Sequence, residues 1–300
     1  MNASTPPGKK RWQKRLRRWI SGRFIALMVF LLPRLYMAYM RLVEVTSSHD
    51  DDTLTKLIVG AVERHDRVIA LLWHQEVFSV AYNYRKLYGH TLASVSDFGN
   101  IITEMLRRCN FVILRGGSGS SSRKRRVLPT LIEHMETQHR VMYGLTVDGS
   151  RGPVHKLKPG GPTIGQACRA PLLCVRTRYR WGITLPTWDR AQIPLPFNRR
   201  ITLASGPYWI APDATDAELE TFRQHLESEL LELTHRVYDV LGTRRSRRFG
   251  FPDDWEPRWP AHQLGTPQGP HDLDLDHAPP WAHRIPTGAQ HTTSAAVSDG

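Results

Sequence analysis

The chain has 300 residues, of which 40% are hydrophobic, a formal net charge of +13 at pH 7, and three cysteines, Cys109, Cys168 and Cys174. That length can bury a sizeable core, although the apolar share is slightly low for every part of it to pack. The charge calls for an anionic partner such as a lipid surface, nucleic acid or a phosphorylated substrate, and an odd cysteine count without a C-x-x-C argues against a disulfide framework or a zinc site, leaving reduced cytoplasmic thiols.

Residues 1–50 form a basic, apolar arm. Its longest apolar run, Phe24 to Leu32, falls short of the roughly 20 residues that span a bilayer. The basic stretch Lys9 to Arg18 precedes it, as in a signal peptide, but no small-residue cleavage site follows. The arm reads as an interfacial helix, with Lys, Arg and Trp at the head groups and Phe24, Leu27, Phe30, Leu31 and Leu35 at the acyl boundary. The alternative is a helix packed on the domain's own core. Ser47 to Asp52 is a polar break.

Residues 51–248 then alternate strand and helix signals. Val68 to Trp73 is a continuous apolar run, as in a buried strand. Thr91 to Val95 is a second strand, and Ile101 to Cys109 has helical spacing with Asp97 or Asn100 as N-cap. Phe111 to Leu114 is a third strand, followed by the loop Gly116 to Ser122 and a helix over Val127 to Met135. Val141 to Val147, Leu172 to Val175 and Ile201 to Leu203 are further strands, with a short helix at Gly165 to Arg169. Thr215 and Glu218 make a capping box. Behind it Leu219, Phe222, Leu226, Leu230, Leu233 and Val237 recur at three- and four-residue spacing, so a helix spans 215–242. The alternation predicts an α/β domain, with one mainly parallel sheet flanked by helices. Residues 249–300 lose apolar periodicity and read as a disordered tail, whose aspartates at 272, 274 and 276 are a solvated acidic run rather than a metal site.

Three candidate sites each follow a strand, the position where parallel sheets hold ligands. His74 is a possible general base. Arg115, with Gly116 and Ser118, could cradle a phosphate, because glycines let backbone N–H groups approach an anion and arginine offers a planar cation. The loop lacks the Gly-Lys-Ser/Thr ending of a Walker A motif. The turn Asp148-Gly149-Ser150-Arg151 would aim a carboxylate and a guanidinium at the same sheet edge. Together they suit acyl transfer to an alcohol on a phosphate-bearing acceptor.

In order, Trp73-His74, Asn110 to Arg115, Val147 to Pro153 and Ala170 to Leu173 resemble the four blocks of the lysophospholipid (glycerolipid) acyltransferase superfamily, most nearly a bacterial branch of it known as a domain of unknown function. The resemblance covers roughly residues 55 to 210. It implies that His74 and Asp148 are catalytic, that Arg115, Gly116, Ser118, Gly149, Ser150 and Arg151 bind the acceptor and its phosphate, and that Lys156 and Lys158 neutralise further phosphate. It also implies an acyl-CoA or acyl carrier protein co-substrate, no cofactor or metal, a lysophospholipid or related acceptor, and an anionic membrane at the cytoplasmic face as partner. Nucleic acid is not expected as a partner, because the basic clusters lack interleaved aromatics.

Two positions depart from the superfamily's pattern. The aspartate expected five residues after the histidine is Ser79, so either Glu76 or Asp148 would have to orient the ring. Asp148 itself stands where glutamate is usual. The alternative function is therefore a catalytically degenerate lipid-binding protein of the same fold.

Overall fold

The computed structural model describes residues 7–50, 52–87, 89–93, 97–115 and 121–243. The tail at 249–300 and the loop residues Gly116 and Ser118 lie outside the described residues. The elements are α1 (Pro7–Thr46), β1 (Ser48–Asp50), α2 (Asp52–His65), β2 (Arg67–Leu72), a 3-10 turn (His74–Glu76), α3 (Val77–Asn83), β3 (His90–Ala93), α4 (Asp97–Arg108), β4 (Val112–Arg115), α5 (Ser121–Thr137), β5 (Val141–Thr146), α6 (Gly160–Cys168), β6 (Leu172–Tyr179), β7 (Gly182–Thr184), β8 (Gln192–Pro194), β9 (Arg199–Tyr208) and α7 (Asp216–Val240).

Seven strands form one sheet in the order β1-β9-β6-β2-β5-β3-β4. The five from β6 to β4 run parallel, as the alternating strand and helix signals predict. β9 lies antiparallel to β6, and β1 is parallel to β9. All six residues of β2 are buried, because helices cover both faces of the sheet. Val68 and Ala70 face a layer that includes Tyr36 and Met40 of α1 and Ile58 of α2. Ile69 and Leu71 face the other layer, with Met135 of α5, Ile164 of α6 and Leu230 of α7. The capping box at Thr215 and Glu218 is formed in both directions, and the end of α7 is followed by Gly242 at φ 61°.

Several elements differ from the sequence reading. β6 continues to Tyr179, four residues past Val175, and β9 spans ten residues rather than three. In both, buried polar side chains interrupt the apolar run. Arg176 is 1% exposed because it pairs with Glu76 at 2.6 Å, and Arg178 lies 4.0 Å over the Tyr238 ring. The polar break holds a short strand, β1, and α2 follows it. The hairpin β7–β8 has no counterpart in the sequence reading.

The arm also differs. Ile25–Thr46 is long and apolar enough, by length and composition, to cross a bilayer. Counting uninterrupted apolar residues misses this, because Arg34 and Arg41 break the run. The helix nevertheless has a committed side: Tyr36, Met40 and Val43, at helical spacing, are buried against the domain. Glu44 fastens this end, accepting from Arg85 at 2.7 Å and from the Tyr82 hydroxyl at 2.9 Å. The reading of the arm as a helix packed on the domain thus holds for one face of its C-terminal half, while the other face is exposed.

The Glu76–Arg176 pair is fully desolvated, so losing one partner strands a buried charge. Arg176→Met should cost about 3–5 kcal/mol, whereas Glu76→Gln combined with Arg176→Met should cost less than the sum of the single changes. Urea midpoints of the three variants measure both quantities, and strict additivity would contradict the pairing.

Candidate functional site

β2 and β5 are neighbours whose outgoing chains part in opposite directions. The chain leaving β2 runs through α3 on one face, and the chain leaving β5 runs to α6 on the other. Such a switch point opens a crevice beyond the strand ends, where parallel sheets bind ligands. His74 follows β2 and Asp148 follows β5, so the topology sets both at this crevice.

The segment Trp73–Glu76 is held from several sides. The Trp73 indole is fully buried, and its Nε1 donates to Thr234 Oγ1 of α7 at 3.0 Å. The backbone N–H of His74 donates to Asp148 Oδ1 at 2.8 Å. Glu76, two residues on, faces away from the imidazole: its carboxylate accepts from Arg176 and from the backbone N–H of Thr177 at 2.7 Å. Ser79 is buried in α3.

The imidazole is oriented by a residue absent from the sequence reading. His74 Nδ1 lies 2.7 Å from Asp189 Oδ2. Asp189 comes from the loop between β7 and β8 and is itself 5% exposed. Its other oxygen accepts from Thr187 Oγ1 at 2.5 Å and from the backbone N–H of Ala191 at 3.3 Å. An ionised carboxylate only accepts hydrogen bonds, so Nδ1 carries the proton and Nε2 presents its lone pair. Nε2 has no hydrogen-bond partner among the described residues, and the side chain is 23% exposed, so its lone pair is open to the crevice.

The same loop closes over the ring from another side. Trp188 packs on His74 with ring centroids 5.1 Å apart. Across from it, Gly152 adopts φ +67°, and a Cβ there would stand 2.7 Å from the Trp188 ring. The turn after β5 and the β7–β8 loop therefore meet over His74, and glycine is required at that contact. Gly149, at φ +72°, allows the turn itself, with the Lys158 stem 3.8 Å from where its Cβ would be. Ser150, Arg151 and Lys158 are exposed at the rim, while Lys156 pairs with Glu227 at 3.1 Å.

Asp148 is fully buried. Its carboxylate holds the main chain of His74 rather than the ring, which makes it a positioning residue. Arg115 stands elsewhere. It ends β4, the edge strand, three strand spacings from β2, or about 14 Å. Its guanidinium donates to Gly99 O at 2.9 Å, to Asn100 Oδ1 at 2.7 Å and to Thr103 Oγ1, all on α4.

No family model matches the chain, and no curated protein matches it. Six solved chains do. One is the crystal structure of the 1-acyl-sn-glycerophosphate (LPA) acyltransferase PlsC from Thermotoga maritima, with 16% sequence identity over 76% of this chain and 91% of that one, at a TM-score of 0.38. What the fold and site define by themselves is an α/β domain carrying a histidine–aspartate pair at its switch point.

Two measurements test this geometry. With Asp189→Asn, the amide can offer its NH2 to Nδ1 and shift the proton to Nε2, so nitrogen-15 NMR should report the Nδ1–H tautomer in the wild type and the Nε2–H tautomer in the variant. The same tautomer in both would contradict the pairing. The second concerns Asp148: burial pushes its carboxyl up to about 6, against the lowering effects of backbone N–H hydrogen bonds and of through-space electrostatics from nearby His74. The folded state then holds this proton more tightly than the unfolded chain, whose carboxyl titrates near 3.8. Stability from this group is present below that value and is lost as pH rises to about 6. The stability of the wild type relative to Asp148→Asn, which keeps an acceptor for His74 N–H, should fall by about 2–3 kcal/mol between pH 4 and pH 7. Urea midpoints across that range measure it, and a flat difference would contradict the buried titration.

Proposed function

We propose that this protein is an O-acyltransferase working at the cytoplasmic membrane surface, moving a fatty acyl group from an acyl-CoA or acyl carrier protein thioester to a hydroxyl of a phosphate-bearing lysolipid. The observation that supports it most is the 2.7 Å contact between His74 Nδ1 and Asp189, with Nε2 open to the crevice. Nε2 takes the proton of the acceptor hydroxyl as its oxygen attacks the thioester carbonyl. The tetrahedral intermediate collapses, the carbon–sulfur bond breaks, and the leaving thiolate recovers the proton from the imidazolium. Asp189 stabilises that imidazolium while it exists and fixes the ring's orientation. Binding and orientation come from the turn after β5. Arg151 and Lys158, exposed at the rim beside Gly149 and Gly152, suit the acceptor's phosphate, whereas Arg115 is committed to α4.

The order of the four sequence blocks supports the same chemistry. The alternative, a degenerate lipid-binding protein, rests on Ser79 standing where the superfamily's pattern has aspartate; Asp189 offers a carboxylate to the ring from another element. The basic arm, with its exposed apolar face, suits a protein that meets its substrate in a bilayer.

The experiment supplies 1-acylglycerophosphate in vesicles with radiolabelled acyl-CoA or acyl carrier protein. The wild type should form the diacyl product, and His74→Ala should lower turnover by about 10²–10⁴-fold with unchanged folding. Equal turnover by both proteins would remove His74 as the base.

A further inference from the structure

Fourteen large hydrophobic side chains stand exposed among the described residues, and they are not scattered. Seven are on α1 and five lie between Trp181 and Phe197, in the β7–β8 hairpin and the loop that follows it. Phe197 is 82% exposed, Ile183 55% and Trp181 54%. Single exposed apolar residues are ordinary, but a concentration of this kind marks a contact surface.

The two groups adjoin. The Tyr39 hydroxyl of α1 donates to the Pro194 carbonyl at the end of β8. The backbone N–H of Phe197 donates to Thr46 Oγ1, and that of Asn198 to Ser47 Oγ, both at the end of α1. Asn198 also ties Trp181 and Leu195 together, donating to both carbonyls. On α1, Leu31, Leu35, Tyr39 and Leu42 follow at intervals of four, four and three residues, so they share one stripe. The hairpin therefore meets the helix on the flank that carries exposed leucines.

The outward-facing charge around this surface is mainly of one sign: Arg34, Arg41, Arg180 and Arg199 are exposed along it, and the carboxylate of α1 at Glu44 is paired with Arg85. Arg34 lies 3.6 Å over the Phe30 ring and Arg180 5.0 Å over Trp181, cations laid on aromatic faces as at a head-group boundary. Between residues 180 and 199 the single carboxylate is Asp189, buried against His74. Pairing this surface with a second copy would set like charges together, while an anionic bilayer complements it.

We propose that the β7–β8 hairpin is a second bilayer-contacting element, continuous with α1, and that its apolar residues insert into anionic membrane. The proposal rests on the membrane-surface part of the proposed function and extends it from the arm to the hairpin that carries Asp189.

The test places an environment-sensitive fluorophore in Ile183→Cys of the full chain. The native cysteines are all buried, so a thiol reagent selects the introduced site. Vesicles of phosphatidylglycerol mixed with phosphatidylcholine should shift the label's emission to the blue, and pure phosphatidylcholine or high salt should weaken the effect. The same label in Glu133→Cys, exposed on α5 across the sheet, should not respond. Ile183→Asp and Phe197→Asp, at exposed positions, should each lower vesicle partitioning roughly tenfold with unchanged circular dichroism. A silent label on protein that still sediments with vesicles would overturn the hairpin's role and leave the arm's intact. Absence of any vesicle binding would overturn both. A blue shift that follows protein concentration without lipid would identify a second copy as occupant and overturn the proposal.

Discussion

The hydrogen bond from the His74 backbone N–H to the Asp148 carboxylate is the constraint on which the site depends. It joins the ends of two neighbouring strands at the point where their chains diverge. A turn leaving a strand has backbone donors without partners, and one left buried and unpaired would cost free energy comparable to a lost hydrogen bond. Asp148 answers that need from across the crevice, and in doing so fixes the origin from which the imidazole projects. The bond has a counterweight. A fully buried carboxylate is costly to keep ionised, which is why its proton affinity is raised. The turn thus holds a buried carboxylate of raised proton affinity beside the His74 main chain, an arrangement in which position matters more than stability.

Three carboxylates near the turn do three separate things. Asp148 holds the main chain, Glu76 clamps the turn to β6 through Arg176 and Thr177, and Asp189 takes the ring. Only the last touches the imidazole, and it is the residue furthest away in sequence. Glu76 is closest in sequence, yet the 3-10 turn directs it toward β6. The short helical rise separates side chains two positions apart by more than a quarter turn, so nearness along the chain does not become nearness to the ring.

Much of the fold is legible in the sequence because parallel strands buried on both faces read as unbroken apolar runs. Val68 to Trp73, Val141 to Val147 and the capping box at Thr215 show this directly. Legibility fails where a polar side chain is buried with a partner. Arg176 and Arg178 hide the second half of β6, and Arg200, Thr202 and Ser205 hide most of β9. His74 and the turn at Asp148 are visible as residues that follow strands. Asp189 is not. It sits 115 residues from His74, in Pro186-Thr187-Trp188-Asp189-Arg190, which reads as an ordinary surface turn. The one local hint is that Thr187 and Asp189 can bond within such a turn, and that motif says nothing about a distant ring. Arg115 shows the converse: it follows a strand, but the order of strands in the sheet, which spacing does not encode, puts it at an edge.

Placing the orienting carboxylate on the β7–β8 loop changes what the site depends on. An aspartate on α3 would be carried by a helix packed in the core, and it would move only with the domain. Asp189 is instead carried by a short hairpin whose other side chains, Trp181 and Ile183 among them, face outward. The loop is braced at three points: Asp189 on His74, Trp188 against Gly152, and Pro194 against Tyr39 of α1. Two of these lie in the crevice and the third on the helix with the exposed apolar face. Any force on the hairpin from outside the protein therefore reaches the imidazole through two contacts of one loop, the buried Asp189 carboxylate and the Trp188 ring. A histidine oriented in this way is held best when the hairpin itself is held, which links the geometry of the imidazole to whatever covers that outer surface.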